Sequence, residues 1–360
     1  LKWEKGDGQV TELWKKMNGW VYEGFDATYK MIGVDFDKFY YESDTYLLGK
    51  TIVEEGLKKN IFYKKPDGSV WVDLSSDGLD EKLLLRGDGT SVYITQDLGT
   101  ADLKYNDYKS ESSIYVVGNE QDHHFKVLKL ILKKLGRSYA DGVYHLSYGM
   151  VDLPSGRMKS REGTVVDADE LVQEMIDTAQ RQTTELGKVE GFKEEELQSL
   201  YRTVALGALK YFLLKVDPKK RMLFNPEESI DFQGNTGPYM QFNYARISAI
   251  VRKAHQIDIP FAPINFADYK ALHPSEKDLI ICLNEFPHIL QLAGKEYSPS
   301  FLAQYVYDLS KAYSHFYTEV SVFNAESESA KSFRVALSAA VAKAIRRSMH
   351  LLGIEVPERM

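Results

Sequence analysis

The sequence predicts an α/β region with a parallel sheet, followed by an all-α bundle. Three observations lead there. Between residues 91 and 151, short β-rich runs alternate with helical periodicity, as βαβ crossovers require. After residue 166 the strand signal fades. From 236 to 360 four long helical patterns follow one another with short connections, the signature of a bundle.

Each element has its own local reason. Residues 9–33 place Leu13, Trp14, Met17, Val21 and Phe25 at three- and four-residue steps, which predicts a helix. In "IFYKKPDGSVWVDL", residues 61–74, two β-rich runs flank a Pro-Asp-Gly-Ser turn and predict a hairpin. A second glycine turn, "RGDGTS", precedes "SVYIT" (91–95), read as a short buried strand. "SIYVVG" (113–118) is the next strand, and "QDHHFKVLKLILKKLG" an amphipathic helix closing on Gly136. "VYHLSYGMV" (143–151) is the third strand and leads into "SGRMKSREGTVV". Beyond it, "DADELVQEMIDTAQRQTTEL" takes Asp167 or Asp169 as its cap, and "EEELQSLYRTVALGALKYFLLKV" stops at Asp217-Pro218. The bundle helices begin at "GPYMQFNY", "PSEKDLII", "PSFLAQYV" and "SFRVALSA", with a Pro-rich stretch, 258–274, after the first.

Composition narrows the function. The 360 residues carry 44% apolar and 27% charged side chains, as globular chains of two or three domains do. The formal charge of −7 provides no global field for nucleic acid, so a polyanion site must be a local patch. Cys282 is the one cysteine, which excludes a disulfide framework and a Cys-based zinc site and fits a reducing cytoplasm. No apolar run approaches the ~20 residues of a membrane span. The chain begins at Leu1 in charged sequence and reads as a fragment or a processed piece.

Four constellations can carry chemistry. In residues 155–166, Arg157, Lys159 and Arg161 alternate among Ser155, Gly156, Ser160 and Gly163. Such a pliable cationic loop closes over a polyphosphate or is a solvated turn. Tyr93, Asp97 and Gln121 flank strand ends; a carboxylate with a phenol and an amide suits a planar cation. The bland alternative is a helix cap and a core-edge tyrosine. His123 and His124 point about 100° apart on a helix, so they do not share a metal; one of them lines a nucleotide site or caps the surface. In "GNTGPYMQFNYARI" (234–247), Tyr239, Phe242, Tyr244 and Arg246 either stack on unpaired bases or fill a core. The terminal "LLGIEVPERM" lacks a polar tail and is expected to dock.

Taken in order, "VYITQDLGTADLKY", "IYVVGNEQDHHF", "LSYGMVDLPSGRMKSREGTVV", "GNTGPYMQFNYARI" and "LLGIEVPERM" resemble the arginyl-tRNA synthetase family, class I enzymes, over nearly the whole chain. The resemblance implies the second half of a Rossmann-like catalytic domain followed by a helical anticodon-binding domain. In that frame residues 1–90 are a connective insertion of helix and hairpins. Residues 91–166 are the half-domain with its KMSKS-like loop, 167–233 a helical linker, and 234–360 the anticodon-binding domain. It further implies that Tyr93, Asp97 and Gln121 hold the arginine side chain. His124, Met150, Val151 and Met158 would face the nucleotide; Arg157, Lys159, Ser160 and Arg161 would serve the reaction. Tyr239, Phe242, Tyr317 and Met360 would contact the anticodon loop. The implied substrates are L-arginine, Mg2+-ATP and tRNA-Arg. The implied chemistry is attack of arginine's carboxylate on the α-phosphate of ATP, giving arginyl-adenylate and pyrophosphate, after which the adenylate passes its arginyl group to the terminal ribose of the tRNA. The chain is expected to be a monomer without a membrane segment or a tightly bound metal.

Two departures qualify this. No His-x-Gly-His occurs, so the HIGH half is expected upstream of Leu1 and the fragment alone is expected not to form adenylate. Aligned on Met158, Arg157 and Ser160 stand at the two lysines of KMSKS, leaving Lys159, Arg161 or a residue elsewhere to supply the transition-state cation. Two other readings stay open: a tRNA-binding fragment without catalysis, and another class I synthetase. Asp97 argues against the second, since a buried carboxylate penalises neutral side chains.

Overall fold

A computed structural model describes residues 2–3, 6–45, 48–152, 167–185, 187, 191–259 and 272–360. It divides into two compact units, one formed by Leu1–Asp35 with Val151–Met360, the other by Phe36–Met150. The first element of the chain is α1 (Gly8–Ile32), capped by the Asp7 carboxylate on the Val10 N–H and stopped by Gly33 at φ +72°. It forms where its spacing predicts. Its stripe of Leu13, Met17, Val21 and Phe25 is exposed, however, and Met31 and Ile32 are what pack against a core.

The unit Phe36–Met150 opens with α2 (Glu42–Thr45) and α3 (Leu48–Lys58). The expected hairpin follows as β1 (Phe62–Lys64) and β2 (Val70–Val72). Its turn needs Gly68 at φ +86°, and β3 (Lys82–Leu85) extends the sheet antiparallel in the order β1-β2-β3. "SVYIT" is not a strand. Ser91 makes a lone bridge to Leu85, and Tyr93 begins α4 (Tyr93–Tyr108). The reason is tertiary: Ile94, Leu98 and Ala101 recur at helical steps and are all buried, which overrides the β preference of Val92, Tyr93 and Thr95. Close helix packing fixes α4 further, since a Cβ on Gly99 would stand 2.7 Å from the Gly49 backbone nitrogen of α3.

The crossover is as expected. β4 (Ser113–Gly118), α5 (Asp122–Lys134) and β5 (Val143–Tyr148) form a βαβ unit, with β4 and β5 parallel from Ser113 opposite Val143 to Gly118 opposite Tyr148. α5 buries Phe125, Val127, Leu128, Ile131 and Leu132, and Gly136 at φ +74° turns the chain out. The third strand is shorter than its β-rich run. It ends at Tyr148, and Val151 belongs to a separate strand of the other unit.

In that other unit, β6 (Val151–Asp152) pairs in parallel with β7 (Met222–Leu223). Between them run α6 (Ala168–Glu185), whose first turn holds an Asp167 carboxylate on the Asp169 N–H, and α7 (Glu194–Leu214). After α8 (Pro226–Ser229) come α9 (Gly237–Gln256), α10 (Pro274–Lys295), α11 (Ser300–Glu319) and α12 (Glu328–Leu351). They form the expected bundle, with α10 on α11, α9 on α12 and α11 on α12, around Met240, Ile247, Val306, Leu309, Tyr313 and Ile345. α7 lies against α9 so closely that Gly237 meets the carbonyl of Gly207, and a Cβ there would overlap it. The chain end docks as expected. Buried Gln241 donates to the carbonyls of Thr203 and Glu355 at 2.9 and 2.8 Å, and Arg252 donates to that of Glu358. No helix among the described residues is long and apolar enough to cross a membrane.

Candidate functional sites

The first site lies in the unit Phe36–Met150. Because α4 starts at Tyr93, Tyr93 and Asp97 sit one helical turn apart on one face instead of flanking a strand end. Asp97 meets α5: its Oδ2 lies 2.5 Å from Nε2 of His124. Gln121 is the residue before α5, a turn ahead of His124, and is exposed. Tyr93 is 78% exposed. Among the described residues, the side chains of Tyr93 and Gln121 make no hydrogen bond to Asp97. The structure thus joins Asp97 to His124 and leaves Tyr93 and Gln121 open beside them.

The surroundings set the charge. Lys104, two turns beyond Asp97 on α4, lies 4.6 Å from the Tyr115 ring centroid. Burial pulls its ammonium below the ordinary lysine range, with Asp97 pulling the other way; burial pushes the Tyr115 phenol up. On the neighbouring strand, His145 stacks on Phe125 at 4.4 Å. Its Nε2 faces the Val117 carbonyl at 2.9 Å and its Nδ1 faces Asp122 at 3.1 Å. Asp97 is not buried as the sequence reading had it: one oxygen is held by an imidazole and the side chain is 41% exposed, so it can take a cation from solvent. Lys104, Tyr115 and the His124 contact were outside the sequence reading. Lys104 was within reach of it, at seven residues from Asp97, once α4 is taken as a helix.

Met150 is exposed after β5, and Val151 opens β6 and packs on a core shared with α6 and α7. Arg157, Met158, Lys159, Ser160 and Arg161 lie outside the described residues. No group of three or more His, Cys, Asp or Glu suited to a metal occurs among the described residues.

The second site lies in the helical unit. A cavity of about 410 Å³ is lined by Phe192, Phe242, Arg246, Arg252, Arg359 and Met360. The Arg246 guanidinium carbon stands 4.8 Å from the Phe242 ring centroid and 5.2 Å from that of Tyr317. Arg359 lies 4.5 Å over Phe192 and donates to the Gly191 carbonyl. Aromatic faces interleaved with guanidinium planes are a receptor for a flat, electron-rich ring. Phe242 and Met360 line this cavity and Tyr317 reaches it through Arg246. Tyr239 does not: its hydroxyl donates to Ser314, which donates to Asn243, and its ring packs against Tyr307. Phe192 and Arg359 were missed, being far apart in sequence and brought together only by the docked chain end.

The family described as tRNA synthetases class I (R), catalytic domain, matches residues 1–225, and the DALR anticodon binding domain matches residues 240–360. This chain belongs to the arginyl-tRNA synthetase family. It is 59% identical to an arginine–tRNA ligase of Amoebophilus asiaticus over 359 residues, covering 100% of this chain and 60% of that protein. It is 57% identical to one from Phocaeicola vulgatus, covering 100% of this chain and 59% of that protein. The arginyl-tRNA synthetase of Thermus thermophilus has the same fold, with a TM-score of 0.84 at 24% identity over 100% of this chain and 68% of that one. The chain therefore spans about 60% of the length of these relatives. Within the family frame, Tyr93, Asp97, Gln121 and His124 fall in the catalytic match. Phe242, Arg246, Tyr317 and Met360 fall in the anticodon-binding match, and Tyr239 lies one residue before it.

Proposed function

We propose that this chain is the part of an arginine–tRNA ligase that holds the arginine side chain, closes over the phosphates of Mg2+-ATP and reads the tRNA anticodon loop. The observation that carries the reading is Asp97: a half-exposed carboxylate whose Oδ2 is held by His124, beside the open side chains of Tyr93 and Gln121. A guanidinium can bring its fork to such a carboxylate, while a neutral side chain leaves it unpaired. His124 acts here on the arginine pocket, by orienting Asp97, in place of the nucleotide-facing role implied at first. Met150, Val151 and Met158 face adenine in this reading. Arg157, Lys159, Ser160 and Arg161 neutralise the phosphates as arginine's carboxylate attacks. Phe242, Tyr317 and Met360 take an anticodon base. The transfer is then catalysed by positioning and charge neutralisation.

Titration of the chain with arginine, lysine and glutamine tests the pocket: binding of arginine alone is expected, and equal binding of glutamine overturns it. ATP–pyrophosphate exchange, dependent on arginine and tRNA-Arg, tests the activity in a chain extended to the length of its relatives. Specific tRNA binding with no exchange in that longer chain favours the tRNA-binding reading without catalysis.

A further inference from the structure

The face of α12 that carries Lys343, Arg346, Arg347 and His350 has no assigned role. These residues follow the i, i+3, i+4, i+7 spacing and so form one stripe about 10 Å long. They line a groove of about 800 Å³ together with Ile354, Glu355 and Val356 of the chain end. Past His350 the groove continues into a second one, of about 470 Å³, where α7 adds Arg202 and Lys210. Lys343, Arg346 and Arg347 are exposed and form no ion pair among the described residues. Lys30 and Lys331, by contrast, each have a carboxylate a turn away on their own helix. Arg202 and Lys210 donate to the carbonyls of Met31 and Gly353, which leaves their charge uncompensated by those contacts. Among the described residues, Glu355 is the one carboxylate lining either groove. In a chain with net charge −7, this is a concentrated positive track.

The chain end ties this track to the arginine-lined cavity. Ile354, Glu355 and Val356 line the groove, and Arg359 and Met360 line the cavity of Phe242 and Arg246. Arg359 stands three positions after Val356, a reach of at most about 11 Å. We propose that the α12 stripe and the groove beyond it hold the ribose–phosphate backbone of the same RNA whose unpaired base enters the Phe242–Met360 cavity. This rests on the reading that the helical unit binds RNA. In it, the cavity supplies discrimination between sequences and the stripe supplies affinity that is blind to sequence. Arg346, Arg347 and Lys343 are then positioning residues that set how the RNA lies on the unit.

The test is fluorescence anisotropy of the chain with two transcripts, tRNA-Arg and the same RNA with an altered anticodon, over a range of salt concentrations. The double variant Arg346→Gln, Arg347→Gln is expected to weaken both RNAs by the same factor, about 20- to 60-fold at 0.1 M salt, and to lower the log–log salt slope by roughly 1.4 to 1.8. Arg246→Gln is expected to narrow the difference between the two RNAs. An unchanged slope in the double variant, with the wild type still discriminating, overturns the track and leaves the RNA reading standing. A wild type that binds neither transcript overturns both. Where the double variant melts early, Lys343→Gln alone must lower the slope by about 0.7 to 0.9; no change there overturns the proposal.

Discussion

His124 Nε2 lies 2.5 Å from Asp97 Oδ2, across 27 residues of sequence and two helices. The contact leaves Oδ1 of Asp97 without a hydrogen bond among the described residues and restricts the rotation of the carboxylate. In the proposed reading, an arginine entering here would meet an acceptor already oriented, so less ordering would be needed on binding. Asp97→Asn keeps the shape and removes the charge. It is expected to weaken arginine by about 30-fold or more, as expected for loss of one partner of a charged pair. His124→Gln is expected to weaken it less, since the carboxylate remains. Calorimetric titration of arginine into each variant checks the order; a larger loss in His124→Gln would assign the imidazole a direct contact instead.

Lys159→Ala separates the pocket from the phosphate loop. If residues 157–161 neutralise ATP's phosphates, the adenylation rate in the enzyme of full relative length falls and arginine affinity stays nearly unchanged. Single-turnover adenylate formation beside equilibrium arginine binding checks this. Loss of arginine affinity in this variant would place the loop's role elsewhere.

Gly237 is required by packing. It stands where α9 meets the carbonyl of Gly207 on α7, and Gln241 one turn later bridges α7 to the chain end. Gly237→Ala forces the helices apart and is expected to cost about 1–3 kcal/mol. It also loosens residues 353–360, because the Glu355 carbonyl depends on that approach. Thermal unfolding reports the first effect and amide exchange of the chain end the second. Loss of stability without faster exchange there would detach the chain end from the α7–α9 contact.

Arg334 and Glu276 form a buried pair inside the bundle, with side chains 8% and 1% exposed and Nε to Oε1 at 2.8 Å. Arg334 also donates to Glu326 and to the Ser321 carbonyl, and Glu276 accepts the His273 N–H at the start of α10. Removing one partner strands the other charge. Arg334→Met is expected to cost about 3–5 kcal/mol, and adding Glu276→Gln to restore part of it. Denaturant unfolding of the single and double variants gives the coupling; strict additivity would refute it.

These contacts explain what could be read from the sequence and what could not. β4, α5 and β5 were legible because each carries its own periodicity, and the bundle helices because their apolar steps match the cores they bury. "SVYIT" misled because its β-branched residues are local, while the Ile94, Leu98 and Ala101 steps that make it helical run past its end. In α1 the period gave the helix but not its burial, since Leu13, Met17, Val21 and Phe25 are exposed. Of the candidate residues, Asp97 and Phe242 stood out by chemistry, and Tyr239 did too, although it spends its hydroxyl on Ser314. The His124–Asp97 and Arg359–Phe192 contacts have no signature in spacing, because each depends on two elements meeting.

The network around Arg137 makes the unit Phe36–Met150 sensitive to acid. Its guanidinium donates to both oxygens of Glu55 at 2.9 and 2.7 Å and to Asp102, and Lys59 also pairs with Glu55. Arg137 first, then Lys59, holds the Glu55 carboxyl down at about 2, from an ordinary 4.5. The folded state thus binds the Glu55 proton more weakly than the unfolded chain. The resulting stability is fully present above pH 4.5 and is lost as pH falls from 4.5 towards 2. Glu55 is about one-third exposed, so solvent screening reduces its worth to roughly 1–2 kcal/mol. Glu55→Gln is expected to lower stability at pH 7 by that amount and to flatten the decline between pH 4.5 and 2. Urea unfolding at pH 7, 4.5 and 3 checks both effects; equal slopes against pH in wild type and variant would remove Glu55 from the acid response.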